Sequence, residues 1–473
     1  MLKQRKKFLN IFERRDCLLL KKEKVLNNNR KALLFTSSVV LYFALVLCVH
    51  LLMQNNDVHY LFRKILPTYE VSLDESWNKT ITNSNKPFEK ITSEKMTVWD
   101  GSHYNFIKEE MYSDIKNFAY YPLFPLFWKA TGLSILGISL LNIFLFALGM
   151  WVMFRVFIDN LSWKHLLLLL CVPYMVIFMM PYSEAFYFVF IALGLYGILK
   201  EKYWFYFLGF LFASMTKSSS LLFVILFLCL EGLYALNHRS ISLFFKRFLK
   251  AVFPVVLGMF LVMLFQWIMG APSFFQSIIS QKYWGKSLSL PELPFSFWSN
   301  ECRSISVPFL CLFFFPMLVV LAREFVVVLK SKQRIEFDKW KHVRLICIVF
   351  LVGNVFTALF TQHGGLYSLA RYLLATPFFV FLLFDTINRK QNNFWQIVCL
   401  VIGVITIIIC KDYFAKADFF GAYLVIVTSF LVYFYRRIHT KILYPLLAII
   451  VLLNACWTAY MFNCFLLNGW IFT

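Results

Sequence analysis

Apolar runs long enough to cross a bilayer recur from Ala32 to the last residues, and nothing else in this sequence restricts its fold as severely. A span needs roughly 20 mostly apolar residues. Lipid offers no partner to an exposed backbone N–H, so each such run is expected to be a helix. Candidate spans cover 32–53, 133–155, 165–180, 185–199, 203–215, 219–236, 249–269, 305–328, 345–361, 369–387, 394–410, 418–434 and 442–461. Short neighbours such as 185–199 and 203–215 are expected to tilt or to be partly re-entrant. Sixty per cent of the residues are apolar and 15% charged, where a soluble domain carries about a quarter charged. The expectation is an all-α, polytopic transmembrane helix bundle of about 11–13 spans, with an outer first loop carrying interfacial helices. It divides into a basic N-terminal segment 1–31, a membrane core 32–390 and C-terminal helices 391–473.

The formal charge of +22 does not indicate nucleic-acid binding, because the excess sits in short segments between apolar runs and forms no basic face. Lys3, Arg5, Lys6, Lys7, Arg14, Arg15, Lys21, Lys22, Lys24, Arg30 and Lys31 precede the first run and are expected to hold it on the cytoplasmic side, against anionic lipid. That run, Ala32 to Met53, exceeds a signal-peptide core and lacks a small-residue cleavage site, so it reads as a retained anchor. With the N-terminus inside, Arg155 with Lys164, Lys200 with Lys202, Arg239 with Lys246 and Arg247, the loop Arg323 to Arg344, Arg389 with Lys390, and Arg436 with Arg437 all fall on the cytoplasmic side. Segments 54–132, 181–184, 270–303 and 362–368 then lie opposite, where the chemistry is to be sought. The eleven cysteines contain no C-x-x-C pair and read as buried thiols.

Within 54–132, a polar first half that reads as loop contains Asn78-Lys79-Thr80, a sequon in an endoplasmic reticulum. The second half runs Trp99-Asp100-Gly101-Ser102-His103-Tyr104, through a short amphipathic helix from Asn105 to Ile115, to Tyr120-Tyr121-Pro122-Leu123-Phe124-Pro125. Asp100, beside a Gly that admits a ligand to the backbone, suits a partly desolvated general base and equally suits a helix N-cap. Glu184, in Pro181-Tyr182-Ser183-Glu184, reads as a second carboxylate orienting a polar acceptor, or as an acidic first-turn residue behind a Ser183 cap. Thr216-Lys217-Ser218-Ser219-Ser220 offers a cation and hydroxyls to phosphate oxygens, or is a solvated turn. Gln281 and Trp284 suit a sugar, the ring against its apolar face, or form an interfacial belt. His363 precedes Arg371-Tyr372; an Arg at membrane depth is a functional candidate by default and grips phosphate bidentately, snorkelling being the alternative. Asp100 and His103 lack further ligands at zinc spacing, and neither Walker A nor G-x-G-x-x-G is present.

In this order, Trp99-Asp100-Gly101 with Tyr104, Pro122-Leu123-Phe124-Pro125, Pro181-Tyr182-Ser183-Glu184, Gln281 with Trp284, and Arg371-Tyr372 before Pro377 resemble the multi-spanning GT-C glycosyltransferases. The likeness is to the GPI mannosyltransferase 2 (PIG-V) type and its bacterial relatives, and covers about 97–380 as ordered islands. The family's usual Arg-Ser-Asn-Gly-like stretch stands here as Thr216-Lys217-Ser218-Ser219. The resemblance implies an inverting, metal-independent hexosyl (mannosyl-like) transfer on the outer or lumenal face, with no cofactor. The donor would be a polyprenyl- or dolichyl-phosphate sugar, and the acceptor a glycan, glycolipid or protein. It implies Asp100 as base, Glu184 and His103 orienting the acceptor, Arg371 with Lys217 or His363 at the donor phosphate, and Trp99, Tyr104, Gln281, Trp284 and Tyr372 lining the substrate. The membrane would be a bacterial inner membrane, with the endoplasmic reticulum as alternative. The rivals are a flippase or transporter, expected to carry internal repeats and midplane charges, a lipid-linked glycan polymerase or ligase, and a non-catalytic scaffold.

Overall fold

A computed structural model describes residues 2–65, 69–73, 79–83, 86–290, 310–330, 338–362, 368–389 and 420–469, with isolated positions at 397, 398, 401 and 405. The chain is an all-α, polytopic transmembrane helix bundle. Its first half comprises α1 (Leu2–Leu52), α2 (Asn56–Ile65), α3 (Ser93–Met96), α4 (Asp100–Glu110), α5 (Leu123–Thr131), α6 (Ile135–Val156), α7 (Trp163–Leu170), α8 (Glu184–Leu199) and α9 (Tyr203–Thr216). The second half adds α10 (Leu222–His238), α11 (Ile241–Ile268), α12 (Gln276–Ile279), α13 (Phe315–Lys330), α14 (Lys339–Thr361), α15 (Leu369–Leu374), α16 (Pro377–Asn388), α17 (Phe420–Phe434) and α18 (Thr440–Leu466). Among the described residues, seven helices are long and apolar enough to cross a membrane, within α1, α6, α10, α11, α13, α14 and α18. Three shorter apolar helices, α8, α9 and α16, complete the set. In the first loop, Tyr69–Leu73 and Lys79–Asn83 pair as an antiparallel hairpin with Leu73 opposite Lys79, where the sequence reads as loop. Asn78 and the expected span 394–410, but for four isolated positions, lie outside the described residues.

Two expected spans are broken, each at a proline. Residues 165–180 were expected as one span, but α7 stops at Leu170, and Pro173 and a left-handed Tyr174 (φ 85°) precede a 3₁₀ turn at Met175–Met179. Proline has no N–H to continue the ladder and disfavours helix in the residue before it. The break is tolerated because neighbouring helices supply the missing donors, as irregular backbone at membrane depth requires. Asn454 of α18 donates from Nδ2 to Leu170 O at 2.8 Å and Val172 O at 3.0 Å. Asn142 of α6 donates to Met180 O at 2.6 Å and Tyr182 O at 2.9 Å. Both asparagines are fully buried. The second break, in the expected span 369–387, falls before Pro377: Thr376 is extended (φ −123°) and caps α16 through Phe379 N.

α8 and α9 form an antiparallel hairpin with a seam too close for side chains. A Cβ on Gly209 would lie 2.5 Å from Gly194 N, and one on Gly197 would lie 2.3 Å from Tyr206 N. Small residues allow such backbone approach between apolar helices. The hairpin therefore sets the first residue of α8, Glu184, beside the residue closing α9, Lys217.

Charges divide between the two ends. At one end Arg247 meets Glu231 at 2.5 Å, Arg344 meets Asp385 at 2.6 Å, and Lys341 meets Glu324 at 2.7 Å. There Arg436 donates to the Asn388 carbonyl and Lys339 meets Glu201, tying the basic connections together. At the other end, the segment before α3 is clamped to α1 and α18: His50 Nε2 meets Glu89 O at 2.9 Å, and Glu89 N donates to Asn463 Oδ1 at 2.7 Å.

Replacing Asn142 by Leu leaves the Met180 and Tyr182 carbonyls without their side-chain donor. The expected loss is about 2–3 kcal/mol for a buried acceptor pair, read as a lower unfolding midpoint in detergent.

Candidate active site

Four charged side chains from distant stretches meet at the end of the bundle away from the basic connections. Trp99, at φ 53°, turns the chain into α4, so Asp100 is its first residue and does not cap it. The Asp100 carboxylate turns instead to Arg371, whose Nη2 lies 2.6 Å from Oδ2, while Tyr120 donates its hydroxyl to Oδ1 at 3.1 Å. Gly101 was expected to admit a ligand to the backbone. It admits Pro181 instead, whose Cγ would lie 2.7 Å from an added Cβ. That packing brings α4 against the turn carrying Glu184.

Glu184 Oε1 accepts from Arg371 Nε at 2.5 Å and from Lys217 Nζ at 2.7 Å. Its position at the start of α8 also sets a negative charge on the positive end of the helix dipole. Side-chain exposure is 2% for Glu184 and Arg371, 14% for Lys217 and 22% for Asp100. Arg371 thus does not snorkel; it is buried and held by two carboxylates. Two acids balance two bases, which is what allows the cluster to leave water. Asp100 is its most accessible member and marks the mouth.

Aromatic rings wall the cluster. His103 stacks on Tyr120 with centroids 5.0 Å apart, and Trp284, 39% exposed, meets both rings edge-on at 4.7 and 5.5 Å. The Tyr182 ring lies 4.7 Å from the Arg371 guanidinium carbon. Tyr104 hydrogen-bonds Ser183 Oγ at 2.8 Å, so Ser183 joins α4 to α8 and does not cap α8 through its side chain. Burial first, then the Asp100 charge, pushes the Tyr104 and Tyr120 phenols well above the ordinary tyrosine range. Tyr120 therefore remains protonated and donates to Asp100.

The structure thus brings together Asp100, Glu184, Lys217 and Arg371, with His103, Tyr104, Trp284 and Tyr372 around them. Gln281 is turned to the backbone, its Nε2 on Ala119 O at 3.0 Å, and so steadies the loop carrying Tyr120. His363 lies outside the described residues. Sequence reasoning missed Tyr120 and Asn117, the latter holding His103 Nδ1 at 3.0 Å through Oδ1. It also missed Gln266 of α11, whose Nε2 donates to Phe118 O and Tyr120 O at 3.0 and 3.1 Å. An amide inside an apolar run was the available signal. Among the described residues, no three His, Cys, Asp or Glu side chains gather as a metal set. No protein-family model, curated protein or solved structure matches the chain.

Arg371→Met is expected to destabilise the fold by about 3–5 kcal/mol, because it strands Glu184 without its buried partner. Adding Glu184→Leu is expected to recover at least about 1 kcal/mol in a double-mutant cycle read by thermal unfolding. Strict additivity would show that the pair is not coupled.

Proposed function

We propose that this chain is a glycosyltransferase that takes a hexose, mannose-like, from a polyprenyl- or dolichyl-phosphate carrier to a hydroxyl of a glycan, glycolipid or protein. The observation that carries the reading is the meeting of Asp100 and Arg371 at 2.6 Å, from stretches 271 residues apart, at an aromatic-walled mouth. Both lie in the islands that resemble the GT-C enzymes. The outer or lumenal face follows in this reading from the charge pattern, and a bacterial inner membrane or the endoplasmic reticulum would house it.

The chemistry needs a base for the acceptor hydroxyl and a cation for the departing phosphate. In the resting site, Arg371 and Tyr120 occupy the Asp100 oxygens, which restrains Asp100 as a base. A donor phosphate supplies the charge that draws Arg371 off Asp100, and donor binding thereby arms the base. The acceptor oxygen then attacks the anomeric carbon and its proton passes to Asp100. The bond from that carbon to the phosphate oxygen breaks, and its electron pair leaves with the lipid phosphate beside Arg371 and Lys217. Attack opposite the leaving group inverts the anomeric centre. Glu184 holds both cations in place, while Trp284 and His103 offer ring faces and edges to the sugar.

Asp100→Asn keeps the shape and the contacts to Tyr120, and is expected to lower sugar transfer from a polyprenyl-phosphate donor by about 100-fold or more. The assay in detergent, where no two compartments exist, separates transfer from carriage across a membrane. Activity within about tenfold of the unaltered protein removes Asp100 as base.

A further inference from the structure

Three cations crowd one ring. The Tyr372 centroid lies 5.0 Å from Lys217 Nζ, 5.7 Å from the Arg371 guanidinium carbon and 5.9 Å from Lys286 Nζ. A phenol face attracts a cation only weakly and does not offset the mutual repulsion of three. Two of them have counter-ions: Lys217 is paired with Glu184, and Arg371 with Glu184 and Asp100. The four-residue cluster is electrically closed. Lys286 is the surplus charge, half-buried and in ion-pair contact with no carboxylate among the described residues.

Its backbone is held firmly. Gly285, at φ 65°, reverses the chain, and Lys286 N donates to Gln281 O at 3.4 Å. Ser287 N and Ser289 N donate to Thr361 O and Phe360 O, at 3.1 and 2.8 Å, on the last turn of α14. A long cationic side chain thus reaches the Tyr372 ring from an anchored base. Three apolar residues on the same stretch are exposed beside it: Trp284 at 39%, Leu288 at 89% and Leu290 at 81%.

We infer that Lys286 and the Tyr372 face form the entry site for the phosphate of an anionic isoprenoid lipid. Lys286 meets the phosphate before Arg371 is drawn off Asp100, and the exposed leucines meet the hydrocarbon. A neutral cluster has no net pull on an anion, so the uncompensated cation at its rim supplies the attraction. The apolar rim selects a lipid ester over free phosphate. The inference rests on the reading of the donor as a lipid phosphate and deepens it by naming the residue that receives it.

The test is binding of farnesyl monophosphate, farnesol and inorganic phosphate to the full-length protein in detergent, by calorimetry. Lys286→Gln is expected to weaken farnesyl monophosphate binding about tenfold while leaving thermal stability unchanged, and Lys286→Arg to restore it. Lys282→Gln, at an exposed lysine over Tyr283 on the same loop, is expected to bind as the unaltered protein does. Unchanged binding in Lys286→Gln overturns the inference, as does farnesol binding as tightly as its phosphate. Inorganic phosphate binding as tightly as the ester overturns the lipid assignment. Sugar transfer is assayed separately. Lys286-dependent binding in a protein that transfers no sugar keeps the anion site and removes the transferase; sugar transfer with Lys286-independent binding does the reverse.

Discussion

Burying a guanidinium in a lipid-facing bundle costs several kcal/mol unless its donors are met, and Arg371 meets that requirement with two carboxylates, Glu184 at Nε and Asp100 at Nη2. The geometry follows from this demand. Glu184 has to stand at the head of α8, Lys217 at the foot of α9, and Asp100 at the first turn of α4, so the α8–α9 hairpin and α4 are fixed about one planar side chain. Ser183, Tyr104 and Tyr120 then fill the spaces between them with hydrogen bonds.

A second demand, equally physical, governs the deep interior. Where Pro173 ends the helix, backbone carbonyls face a medium without donors, and the asparagines of α6 and α18 serve them. The same asparagine of α18 accepts no competitor from lipid, being fully enclosed, and it also donates to Tyr42 Oη of α1 at 3.0 Å. One polar side chain therefore joins the first helix, the broken one and the last.

Much of this was legible in the chain, for identifiable reasons. Spans such as Ile135–Val156 announce themselves because an unbroken apolar run has one satisfactory conformation in lipid. Asp100, Glu184 and Arg371 stood out because charge beside such runs is costly and needs a purpose. What was illegible depends on partners far along the chain. Residues 165–180 have the composition of a span, and only the packing of Asn142 and Asn454 shows why a break is affordable there. Gly101 looked like a ligand's approach and is a socket for Pro181, a contact across 80 residues. Gln281 and Tyr120 belong to aromatic-rich loops whose sequence does not say which group turns inward, and the ring of Tyr372 acquires its meaning only when its neighbours are seen.

The seam between α8 and α9 has a mechanical consequence. Where Gly209 and Gly194 touch backbone to backbone, there is no layer of side chains to act as a bearing, so neither helix can slide along or roll over the other without collision. Glu184 and Lys217 accordingly travel as one solid piece. Whatever widens the mouth to let a bulky molecule in has to move a part that lacks such a weld, such as the short helix bearing Arg371.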